Sequence, residues 1–195
     1  MSVAFVRQLA AKPLESSPGE RFGYSNAGYV LLSAAAEAAV DEAWEDIVRK
    51  RVVEPLGMDT FSFGIPPRSP DGGGAVGHNE DGDADETEDA PWHHASFSVH
   101  STLEDWAKFA RLHLNALSGE VGALDVVGIG ASTQVLHTPA SPATIDEKCR
   151  GPESPLSMAM GWQCLWDEPE DGQQGAAAAT GRLYHWGTNF RFNAG

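Results

Sequence analysis

The sequence predicts an α+β fold in which the helices come first and the strands last. Two observations predict it: apolar residues recur at three- and four-residue steps in Ala27–Ala38, Trp44–Val48 and Trp106–Leu117, and runs of strand-like composition come only near the end of the chain, from Ala159 on.

The first helix follows the turn at Pro18-Gly19. Ala27, Val30, Leu31, Ala34, Ala35 and Ala38 share one face, and that face defines it. A second helix is predicted from Asp41 as its N-cap, with Trp44, Ile47 and Val48 facing inward. Glu45 to Arg49 and Asp46 to Lys50 would pair on its outer side, and Pro55 and Gly57 would stop it. From Gly64 to Ser96 the periodicity vanishes and Pro, Gly and Asp dominate, so residues 64–96 are read as one long acidic excursion of the kind that lines sites.

The third helix opens on Ser101 with Glu104 three residues later, the spacing of a capping box. Trp106, Phe109, Ala110, His113, Leu114 and Leu117 form its apolar stripe, and Gly119 ends it. Ser132 to Pro155 is rich in Pro and Ser. Strand-like runs then occupy Ala159 to Trp166 and Arg182 to Phe192, and no internal repeat is visible. A strand pair that breaks off at the C-terminus leaves unpaired backbone donors on its outer edge, so association through that edge is expected.

A content of 42% hydrophobic residues, with six Trp and eight Phe, suffices for one core, and residues 1–195 are read as a single domain. The net charge of −15 works against binding to nucleic acid and to anionic lipid surfaces. Seven of the carboxylates lie between Glu80 and Asp89, so much of the acidity belongs to one loop. The longest apolar stretch, Ala27 to Val40, is interrupted by Ser33 and Glu37 and is too short for the roughly 30 Å core of a bilayer. The N-terminal residues do not have the pattern of a signal peptide, and localisation stays open. Cys149 and Cys164 are either paired or free thiols.

No metal or cofactor is expected. Adjacent His93 and His94 point apart in an extended chain, and no third ligand stands at a zinc-like spacing. Asp81-x-Asp83-x-Asp85 begins like a calcium loop, but Glu86 stands where the sharp turn needs glycine and Trp92 where it needs a bidentate glutamate. His113 lies on an apolar stripe and is read as a core histidine. Ser25 in Gly-Tyr-Ser-Asn-Ala falls one residue short of a nucleophile elbow, and the preceding segment is polar where a buried strand is required.

The chemistry-bearing candidates are Tyr24 and Asn26, two residues apart at a helix start. Their flanks, PGERFGYSNAGYVLL followed some twenty residues on by EPLGM, form a compound pattern that resembles the serine hydrolases comprising class C β-lactamases, D-alanyl-D-alanine peptidases and related esterases. SFSVHSTLEDWAKFARLHL and GRLYHWGTNF resemble two further stretches of that family. The resemblance implies a β-lactamase/transpeptidase-like α+β fold, of which this chain holds a partial domain: mainly the helical subdomain with part of the antiparallel sheet.

It also implies roles. Tyr24 would act as, or relay to, the general base, a task in which a phenol needs help from a neighbouring cation. Asn26 would hold the substrate's amide. His185 would stand beside the leaving group or substrate carboxylate, Gly187 would let the acyl chain approach backbone, and the Thr188 N–H would supply half of an oxyanion hole. The substrate would be a small molecule or peptide: a β-lactam, a D-alanyl peptide or a small ester. The family's nucleophile sits in Ser-x-x-Lys, whereas Leu9, Ile47, Asp105 and Ile145 stand three residues before the four lysines of this chain. The expectation is therefore a family member truncated before its serine and inactive alone, with a non-catalytic binding remnant as the alternative.

Overall fold

The computed structural model describes residues 3–18, 20, 23–67, 75–79, 81–85 and 90–117, and the strand residues 157–158, 163–166, 181–184, 187–188 and 193–194. Helix α1 (Val3–Ala10) packs on α2 (Asn26–Val40), and α2 on α3 (Trp44–Val48). Val30 and Ser33 are the buried residues of α2, and the Ser33 hydroxyl is satisfied within the helix by donating to the Val30 carbonyl at 2.9 Å. Ala35 and Ala38 are exposed, so the inward face is narrower than the apolar spacing suggested.

Asp41 closes α2 and does not open the next helix. It adopts the left-handed conformation, φ 57°, with its N–H bonded to the Glu37 carbonyl at 2.8 Å. Aspartate is among the few non-glycine residues that tolerate this region. Helix α3 begins three residues later, and its first N–H, that of Trp44, donates to the Glu37 side chain at 3.0 Å. A carboxylate from the preceding helix thus caps α3 where the sequence suggested a local aspartate.

Beyond α3 the helix widens into a π turn over Arg49–Val53 and ends as α4 (Glu54–Leu56). The Glu54 N–H reaches back five residues to the Arg49 carbonyl. Pro55 accounts for the widening: it has no N–H to donate, and its ring would collide with the Arg51 carbonyl in a regular helix. The four-residue register is lost with it, and the expected outer pairs are replaced. Asp46 pairs with Arg49 at 3.5 Å, and Lys50 pairs with Glu42 at 2.5 Å. Gly57, φ 63°, terminates the rod as expected.

Strand β1 (Ser62–Phe63) pairs antiparallel with β2 (Val99–His100), with Ser62 opposite His100. Between them, Asn79 organises a tight turn: its side-chain oxygen accepts the N–H groups of Asp81 at 3.0 Å and Asp83 at 2.9 Å, and Gly82 takes φ 84°. A 3-10 turn at Pro91–His93 follows. Phe5 of α1 rests against Trp92, with ring centroids 5.4 Å apart, which ties the N-terminal helix to this turn.

Helix α5 (Leu103–Leu117) is where the structure departs most from sequence periodicity. Its inward face carries Asp105, Leu112, His113 and Ala116, while Trp106 is 43% and Leu114 57% exposed. The cause is a polar tie. The Asp105 carboxylate accepts the Thr60 N–H at 2.7 Å, the Thr60 hydroxyl at 2.5 Å and the Lys108 ammonium at 2.6 Å, and Lys108 also donates to the Gly57 carbonyl. The helix start follows the same tie: Thr102, not Ser101, faces the Asp105 N–H at 3.4 Å, and the Thr102 N–H donates to the Thr60 hydroxyl at 3.0 Å. Ser101 donates to the Thr102 carbonyl at 3.2 Å.

Val53, Met58, Leu112 and Ala116 join Val30 as buried apolar residues, so the core lies where the π turn, the Gly57 turn, α2 and α5 contribute. At the C-terminal end β3 (Ser157–Met158), β4 (Gln163–Trp166) and β5 (Gly181–Tyr184) form an antiparallel sheet in that order. β6 (Gly187–Thr188) pairs with β7 (Asn193–Ala194) in a separate ribbon, so the run read as one strand from Arg182 to Phe192 holds parts of two. The final strand is hydrogen-bonded to β6 and does not stand alone. Among the described residues no helix is long and apolar enough to cross a membrane.

Candidate active site

Tyr24, Ser25 and Asn26 form the turn that enters α2. Ser25 is extended, φ −155° and ψ 107°, and its hydroxyl accepts the Gly28 N–H at 3.0 Å, one of the donors a helix start leaves unpaired. That bond assigns Ser25 to the N-cap. Replacing Ser25 by alanine is expected to cost about 1 kcal/mol of folding stability; an unchanged urea midpoint would remove the cap from the account of this turn.

With Ser25 turned to the helix, its two neighbours meet each other. The Tyr24 hydroxyl donates to the Asn26 side-chain oxygen at 3.0 Å. Tyr24 is 78% exposed, so this is a solvent-accessible phenol with an amide beside it. Among the described residues the Asn26 side chain is engaged through its oxygen alone, and its N–H₂ is a further donor at the same turn. A phenol that can give or take a proton and an amide that can hold a carbonyl are thereby held within one hydrogen bond of each other.

His185 lies outside the described residues. Gly187 and Thr188 form β6, with Gly187 opposite Ala194 and Thr188 opposite Asn193. The structure thus brings Tyr24 and Asn26 together, and gives Gly187 and Thr188 a strand backbone.

Sequence reasoning missed two polar constellations. The first is the Asp105, Thr60 and Lys108 group. Hydrogen bonds from Lys108, then from the Thr60 hydroxyl, then from the Thr60 N–H, hold the Asp105 carboxyl at about 2, below its ordinary value of 3.8. Such a group stays ionised near neutrality and does no proton transfer there; its work is to join α5 to the Gly57 turn. The Asp105-x-x-Lys108 spacing was the available signal, but nothing local points to Thr60. The second is His94, whose Nδ1 lies 2.7 Å from a Glu45 carboxylate oxygen and whose ring stacks on Phe63 at 5.3 Å. It fastens the loop to α3 and β1. Among the described residues no group of three His, Cys, Asp or Glu side chains could hold a metal ion.

A family model described as Beta-lactamase matches residues 3–195. Among solved structures, a crystal structure of a class C beta lactamase superposes with a TM-score of 0.60 at 17% identity. The superposition covers 85% of this chain and 41% of that one, so the chain spans less than half the length of that protein. No curated protein matches the sequence.

Proposed function

This chain belongs to the beta-lactamase family, and from that premise we propose that it supplies the substrate-holding part of a serine hydrolase cleft and does not turn over substrate by itself. The reaction of such a cleft is acyl transfer. A serine hydroxyl attacks the carbonyl of an amide or ester, its proton passes to the leaving group, and water later cleaves the acyl-enzyme ester. Tyr24 serves the proton transfer and Asn26 the substrate amide. His185 stands at the leaving group, and the N–H of Thr188 meets the developing oxyanion, a contact typically worth roughly 3 to 4 kcal/mol. The substrate class is a β-lactam, a D-alanyl peptide or a small ester.

The observation that carries this reading is the contact between the Tyr24 hydroxyl and Asn26, made possible because Ser25 between them caps the helix. The nucleophile is a different matter. No lysine of the 195 residues has a serine three positions before it, and without a nucleophile the remaining groups bind and polarise but do not form an acyl-enzyme. That favours binding over turnover for this polypeptide. Purified chain is expected to hydrolyse neither nitrocefin nor p-nitrophenyl acetate above background. Saturable turnover that Tyr24→Phe abolishes would overturn the proposed inactivity while supporting the assigned role of Tyr24.

A further inference from the structure

We propose that α5 is the contact surface of a two-fold homodimer, in which the α5 helices of two copies pack antiparallel. Leu103 is 77%, Trp106 43% and Leu114 57% exposed, all on the side of α5 that the Asp105 tie turns away from the core. Three large apolar side chains in register on one helix mark an interaction surface, not scattered surface hydrophobicity.

The pattern is self-complementary. With successive residues turning by about 100°, Leu103, Ala107, Ala110 and Leu114 fall in one narrow sector. They are also symmetric along the helix: Leu103 and Leu114 are equidistant from the midpoint between Lys108 and Phe109, and so are Ala107 and Ala110. An isologous contact requires the same patch on both copies, with residue i meeting j and j meeting i. An antiparallel pair sets Leu103 against the partner's Leu114 at both ends. The small Ala107 and Ala110 at the centre let the two backbones approach closely.

The charges select the direction. Glu104 and Arg111 are both exposed and lie along the same border of the stripe, on opposite sides of its midpoint. Antiparallel packing brings Glu104 near the partner's Arg111 twice, whereas a parallel two-fold pair turns both toward the partner's Trp106 border and pairs neither. Trp106 borders the other side of the stripe and extends the apolar area. Because each chain carries −15, mutual repulsion opposes the pairing, and the association is expected to be reversible and to need salt for screening.

Sedimentation velocity of the full chain from low to high micromolar concentration, in about 0.15 M salt, tests this. A monomer–dimer equilibrium is expected, with the dissociation constant raised at least about tenfold by Leu114→Asp. Glu104→Arg and Arg111→Glu should each weaken the dimer, and the double variant should restore it. Circular dichroism confirms that the variants, all at exposed positions, keep their helix content. A chain that stays monomeric at every concentration, a dimer indifferent to Leu114→Asp, or a double variant no tighter than either single one would each overturn the proposal.

Discussion

Replacing Asp105 by asparagine is expected to lower the melting temperature by on the order of 10 °C, because the change breaks a buried polar network shared by three side chains. The carboxylate is 5% exposed and accepts from two groups of Thr60 and from Lys108. Asparagine keeps one acceptor and turns the other into a donor. That N–H₂ then faces either the Thr60 donors or the Lys108 ammonium, and either arrangement leaves donor against donor. Acid should reproduce part of the effect. The folded-state value of about 2 lies below the ordinary 3.8, so the unfolded chain takes up this proton first. The contribution of Asp105 is whole above the ordinary value and is lost as pH falls toward about 2. Thermal melts at pH 7 and through the range between those two values check both parts. Equal melting temperatures for wild type and Asp105→Asn at pH 7 would show that the tie does not hold α5.

Met58→Ala is the second large effect, a loss of about 2 to 5 kcal/mol. Met58 is 3% exposed and follows the left-handed Gly57, and its N–H and carbonyl bond to Val53 at 3.0 Å and Phe61 at 3.1 Å. Truncation leaves a cavity in a turn whose backbone is held on both sides, so little can move in to fill it. Urea melts measure it, and a loss under about 0.5 kcal/mol would place Met58 outside the core. The double variant with Asp105→Asn should fall short of the sum. Both residues act on the Gly57 to Thr60 turn, and once that turn is loosened the second change has less to remove.

These two residues mark how far the sequence could be read. Met58 belongs to EPLGM, a stretch picked out with the Tyr24-Ser25-Asn26 flanks, and Gly57 as a helix stop was legible because only the residue's own φ decides it. The inward turn of Asp105 was not. Apolar spacing alone favours Trp106 and Leu114 as core residues, and a carboxylate belongs in solvent until a partner is known. The partner is Thr60, 45 residues away in sequence.

The site divides along the same line. Tyr24 and Asn26 are two residues apart, so a single turn decides whether they meet, and Ser25 as N-cap makes that turn. The proposed place of His185 beside them would depend on long-range packing, which no local pattern encodes.

By itself the sequence determined the family resemblance, the extents of α2 and α5 to within a residue or two, and the stop at Gly57. Each of these follows from side-chain spacing or from the steric limits of a single residue. The tertiary structure alone decided which face of α5 turns inward, that Asp41 closes one helix instead of opening the next, and that Glu37 caps α3. Those outcomes depend on hydrogen bonds between elements, and a buried polar group takes the orientation in which its donors and acceptors are met, whatever its neighbours in sequence prefer.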